Sequence, residues 1–164
     1  MQTINGLPAH VLLVHAVVVL VPLTASLAVL AAVWASARRA LIWLTTVLAA
    51  VTMVLTPITV DAGETFARNF GPSETLRTHA DLGSTMTWFV VPLVVLTVAL
   101  LVVHLRERRG KPLARVLVAA LAVLVIVAGV AATVQVFRVG ESGARAVWGA
   151  SSAPSWDPVL TQIT

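Results

Sequence analysis

Cysteine is absent from this 164-residue chain. That absence excludes disulfides, thiolate metal sites and cysteine nucleophiles together. Charge is almost as scarce, since Asp, Glu, Lys and Arg make up 11% of the residues where a soluble domain carries about a quarter. The common catalytic signatures are missing as well: there is no Ser-His-Asp arrangement, no phosphate-cradling loop and no H-E-x-x-H motif. No basic face with interleaved aromatics occurs, which excludes the usual nucleic-acid surface. The chain is not expected to be an enzyme and is at most an electron-transfer component.

What is present is apolar, at 59% hydrophobic residues. Met1–Ala37, Ala40–Val60, Leu82–Leu105 and Val116–Phe137 contain no Lys, Arg, Asp or Glu. A membrane-spanning helix needs about 20 such residues, because each rises about 1.5 Å through a hydrocarbon core about 30 Å thick. The fold class that follows is all-α, a four-helix up-down membrane bundle. Its spans run over about 9–36, 41–60, 82–105 and 116–137 in a domain of residues 1–150, with an exposed tail over 151–164. The first span lacks a basic leader and its apolar run is too long for a signal peptide, so it is expected to be retained.

The charges orient the bundle. Arg38, Arg39, Arg106, Arg108, Arg109, Lys111 and Arg115 gather in the two hairpins with Glu107 as their only acid. Arg68, Arg77, Arg138 and Arg145 lie on the other side among six acids. The positive-inside rule puts both hairpins in the cytoplasm and both termini outside, in a bacterial inner membrane. Trp34 and Trp43 suit the inner aromatic belt and Trp88 the outer one. Pro22, Pro57 and Pro92 fall inside spans, where neighbouring helices satisfy the freed carbonyls. Ser73 is a good N-cap for the third helix. Ala128–Ala132 and Gly129–Thr133 have the small-xxx-small spacing of close helix approach.

The four histidines carry most of the remaining chemistry. His104 lies twenty-five residues beyond His79, about 37 Å along a helix, and reads as an interfacial side chain beside a basic turn. His10, His15 and His79 belong to the outer end, where polar groups in spans mark function. His10 and His15 are five apart, about 140° around a helix, so both reach one small ligand only if the helix start is distorted. His79, Gly83 and Met86 share a face that can admit a flat ring close to the backbone. Two chemistries use such groups. One is a b-type haem held by His79 with His10 or His15. The other is a copper or zinc ion on the same imidazoles plus Asp61 or Glu64. Either requires the first and third helices to be neighbours at their outer ends. Glu64 or Asp61 then orients a ligand imidazole, and Arg68, Arg77 or Arg145 pairs with haem propionates. The alternative is an interfacial hydrogen-bond and ion-pair cluster that closes the bundle, in a protein that acts as a non-catalytic accessory subunit.

Four segments in order, "LPAHVLLVH", "DAGE", "HADLG" and "GESGARAVWG", resemble a bacterial family of small four-helix membrane proteins catalogued as a domain of unknown function. Its relatives open L-P-x-H-P-L-L-V-H. The resemblance covers nearly the whole chain. It implies an integral four-helix domain, joined in some longer relatives to iron–sulfur or cytochrome modules, and so it favours redox work. Carried over by position, its polar set is His10, His15, Asp61, Glu64, His79 and the 140–148 stretch. Val11 stands where relatives carry proline, and Glu141 where many carry another histidine, which removes a possible ligand from the fourth helix. The expected partners are the lipid bilayer and a homo-oligomer or larger membrane complex.

Overall fold

The computed structural model describes residues 3–4, 7–67 and 74–148, with side chains over 12–65, 67 and 74–145. A two-residue antiparallel ladder, β1 (Thr3–Ile4) with β2 (Leu7–Pro8), leads into the first helix. The fold itself is four long helices: α1 (Ala9–Val33), α2 (Ala35–Ala67), α3 (Glu74–Arg108) and α4 (Arg115–Trp148). All four are long and apolar enough to cross a membrane, so the all-α four-helix bundle expected from the charge pattern is the observed architecture. Pro22, Pro57 and Pro92 lie within α1, α2 and α3 without ending them.

The connections are short and each has a local cause. Trp34 alone separates α1 from α2; its N–H donates to the Leu30 carbonyl at 3.0 Å, and Arg38 N–H donates to the Trp34 carbonyl at 2.9 Å. The α3–α4 turn begins with Gly110 at φ 67°. Gly110 N–H donates to the Glu107 carbonyl and Lys111 N–H to the Arg106 carbonyl, the paired bonds of a Schellman stop, which needs a left-handed residue at this position. α4 continues to Trp148, well past the end of its charge-free run at Phe137, because nothing in "RVGESGARAVW" breaks a helix strongly enough. The tail over 151–164, Arg68 and Ser73 lie outside the described residues.

The helices pack in a ring, α1 on α2, α2 on α3, α3 on α4 and α4 on α1, while α1 and α3 face each other across the diagonal. The expected α1–α3 neighbourhood is therefore corrected. Short connections make each helix pack on the one before it in sequence, and closing the ring leaves alternate helices opposite.

Buried positions follow alternating steps of four and three. On α3 they are Met86, Val90, Leu93, Thr97, Leu100 and His104, with Val103 buried beside the last; on α2, Arg38, Ile42, Thr45, Ala49, Thr52, Thr56 and Thr59. This is the heptad seam of a left-handed bundle. On α2 the seam is rich in threonine (Thr45, Thr52, Thr56 and Thr59) and on α3 it carries Val90, Leu93 and Leu100, whereas Val47, Val51, Val54, Val95, Val98, Val102, Val127 and Val130 point outward into lipid. In a bilayer both faces of a helix are apolar, so small residues that permit close approach mark the inside. Gly129 shows this directly: a Cβ there would sit 3.4 Å from the Ala25 Cβ on α1. The seam hydroxyls are satisfied within their own helices. Thr45, Thr52, Thr56, Thr59 and Thr97 each donate to the carbonyl four residues earlier, at 2.7–2.9 Å.

One end of the bundle is closed by Arg38. Its guanidinium donates to both Glu107 carboxylate oxygens, at 2.7 and 3.4 Å, and to the Ala31 carbonyl at 3.0 Å. It thereby ties α2 to α3 and to the last turn of α1, whose terminal carbonyls lack intrahelical partners. Its side chain is 4% exposed and that of Glu107 30%. Arg38 thus sits in the opening turn of α2, buried, and not in a solvated hairpin.

Candidate ligand site at the His79 end

The opposite end is organised by α3 and α4. Gln135, buried on α4, donates from its side-chain amide to the Leu82 carbonyl at 3.2 Å and to the Thr85 hydroxyl at 2.8 Å. One turn above, His79 Nδ1 lies 3.1 Å from the Val139 carbonyl and 3.0 Å from Ser142 Oγ. A carbonyl only accepts, so the short contact to Val139 places the proton on Nδ1. Ser142 Oγ donates to the same carbonyl at 2.8 Å. The imidazole lies against Gly143, whose absent Cβ would come within 3.0 Å of Cε1, 3.3 Å of Nδ1 and 3.7 Å of Nε2. Nε2 is thus the ring nitrogen further from α4, and in this tautomer it holds an unshared pair.

His79 also lines a cavity of about 90 Å³ enclosed by all four helices. Val14, Val17 and Val18 come from α1, Thr56, Thr59 and Glu64 from α2, Gly83 and Met86 from α3, and Val136 and Val139 from α4. The wall is mostly apolar. Gly83 faces open space, with nothing within 4 Å of a Cβ built on it, as the shared face of His79, Gly83 and Met86 predicts.

The other expected site residues disperse. His15 is exposed on α1, Asp61 and Arg77 are exposed, and Arg145 pairs with Glu141 at 2.6 Å on the surface of α4. Glu64 is exposed at the mouth of the cavity. The side chain of His10 and all of Arg68 lie outside the described residues. Among the described residues, no group of three His, Asp or Glu side chains could hold a metal ion.

A porphyrin does not fit the cavity as it stands. A pocket of about 150 Å³ takes one benzene ring, and a porphyrin is several times larger than benzene. His79 is the one described histidine on the cavity wall, and α1 and α3 are diagonal, so a second axial imidazole is not at hand among described side chains.

Sequence reasoning missed the hydrogen-bonding partners of His79. A backbone carbonyl leaves no signal in a sequence. Ser142 and Gly143 did leave one, because both fall in the "GESGARAVWG" segment that carries the family resemblance. His104 was misread: it is 4% exposed, and its Nδ1 is buried without a hydrogen-bond partner among the described residues.

A family model described as "Predicted membrane protein (DUF2231)" matches residues 6–152 of the chain. No curated protein matches it, and no solved structure does.

Proposed function

The chain belongs to the DUF2231 family of predicted membrane proteins, and from that premise we propose that this member is a non-enzymatic accessory module that binds one small redox-active ligand at His79. The observation that supports this reading is the pairing of a pre-oriented imidazole with a cavity. Nδ1–H is held by the Val139 carbonyl, and the ring borders the cavity with Nε2 as its remaining acceptor. A backbone partner on one ring nitrogen sets the orientation and basicity of the other, as in ligand-binding histidines generally. Charge asymmetry supports an outward-facing site, since the basic residues gather at the Arg38 end.

The test is native mass spectrometry and an absorption spectrum of the protein purified from membranes in mild detergent. A bound small molecule that is lost in His79→Ala is the expected result. Wild-type protein that carries no bound molecule and takes up none offered to it overturns the reading. A haem spectrum would show that the bundle opens to admit a porphyrin.

A second reading, a packing subunit of a larger membrane complex, draws on α4. That helix buries the smallest share of its span and turns Val123, Val127, Val130 and Val134 outward. Cysteines at Val127 and Val130 that crosslink to another chain in native membranes would support it.

A further inference from the structure

The cavity wall has a chemical bias that narrows its occupant. Its polar side chains are Thr56, Thr59, Glu64 and His79. Both threonine protons are committed to backbone carbonyls, Thr56 to Thr52 at 2.8 Å and Thr59 to Leu55 at 2.7 Å. The Thr56 oxygen can still accept. Glu64, when ionised, only accepts, and His79 has its proton turned to α4. Among the described residues, the side chains of the wall therefore supply acceptors and no uncommitted donor. An occupant that satisfies them brings its own donors, O–H or N–H.

Shape and position narrow it further. Gly83 leaves a bare stretch of α3 beside His79 with nothing within 4 Å, a surface suited to a flat ring. Val14, Val17, Val136 and Met86 supply apolar lining. At about 90 Å³ the space is smaller than the pocket of about 150 Å³ that encloses benzene, so one substituted ring fits only with an edge in the open mouth. Depth agrees, because His79 lies three residues before the charge-free run that starts at Leu82, within one helical turn of the hydrocarbon boundary.

We propose that this cavity is a binding site for a monocyclic hydroquinone, with a ring hydroxyl donating to His79 Nε2 and the ring lying on Gly83. The assignment rests on the ligand-binding reading above and names its ligand class. The reduced form is favoured because it has two O–H donors for an acceptor-lined wall. The oxidised quinone has none, and its carbonyls would face other acceptors.

The experiment is anaerobic titration calorimetry of detergent-purified protein with 2-methylhydroquinone and with 2-methyl-1,4-benzoquinone. The chain has no cysteine, so thiol addition to the quinone does not confuse the result. The reduced form is expected to bind about tenfold tighter, the difference that one or two net hydrogen bonds make. Gly83→Leu extends a side chain into the space, where its Cβ meets nothing within 4 Å; it should keep the helical circular dichroism and lose binding of both forms. His79→Phe should erase the preference for the reduced form. Equal affinity for the two forms in wild type, or unchanged binding in Gly83→Leu, overturns the proposal. If neither form binds but another molecule co-purifies and is lost in His79→Ala, the hydroquinone assignment fails and the ligand-binding reading stands. If nothing co-purifies and neither form binds, both fail.

Discussion

His104 and His79 are both imidazoles on α3, and their surroundings give them opposite energetic signs. His79 is tied to Val139 and Ser142 on α4, whereas His104 is buried with Nδ1 unpartnered among the described residues. A buried polar atom without a partner costs about 1–3 kcal/mol. His104→Leu should therefore raise the thermal midpoint in detergent, and a lower midpoint would reveal a partner for that nitrogen. Gly143→Ala makes a different point. Its new Cβ would lie 3.0 Å from His79 Cε1, so the imidazole must give by a few tenths of an ångström and its bond to Val139 is strained. Weakening that bond costs at most about 1 kcal/mol, and the helix propensity gained over glycine returns a similar amount. Stability should thus change little while the His79 ring resonances in an NMR spectrum shift. Unchanged resonances would mean the ring does not rest on Gly143.

At the scale of elements, the Arg38–Glu107 bond holds three helices together at one end. Removing one partner of a buried pair costs about 3–5 kcal/mol, because the other charge is stranded. Glu107 keeps 30% exposure, so water reaches the pair and the lower end, about 3 kcal/mol, is expected for Glu107→Ala. Arg38→Met combined with Glu107→Leu should lose less than Glu107→Ala alone, since no charge is then stranded. A double-mutant cycle on unfolding in detergent measures the coupling, and additive losses would show that the pair contributes nothing. The α1–α4 seam makes a packing prediction. Gly129 faces Ala25 at 3.4 Å, so Gly129→Leu must push the helices apart, at a cost of about 1–3 kcal/mol for overpacking. An unchanged unfolding midpoint would place Gly129 outside the seam.

For the whole molecule, the prediction concerns which end faces the cytoplasm. Seven basic residues against one acid lie around the Arg38 end, and four basic against six acids lie toward the other. The Arg38 end should therefore be cytoplasmic and the His79 cavity should open outward. Cysteines placed at Ser36 and Thr78, both exposed, provide a clean test in a chain with no native cysteine. An impermeant thiol reagent applied to intact cells should label the Thr78→Cys protein and spare Ser36→Cys. The reverse labelling would put the cavity on the cytoplasmic side.

The charge gaps alone determined the number of helices, their class and their order along the chain. In lipid, every backbone polar group must bond internally, and an uncharged run of about 20 residues has no other way to do so. The motif segments also singled out His10, His15, Asp61, Glu64, His79 and the 140–148 stretch, of which Glu64 and His79 line the cavity and Ser142 and Gly143 touch the His79 ring. Three matters were left to tertiary structure. The ring order set α1 diagonal to α3, and His79 hydrogen-bonds to Val139 and Ser142 on the adjacent α4. The burial of Arg38 and His104 was hidden because a polar residue beside a basic turn looks the same whether it faces water or the seam. The seam itself was hidden because a helix in lipid is apolar on both sides, so the contrast that marks the inside of a soluble helix is absent. Which face is inside was decided by how the helices fit together, with Ile42, Leu93 and Leu100 buried beside the threonines and Gly129 close to Ala25, and that depends on all four helices at once.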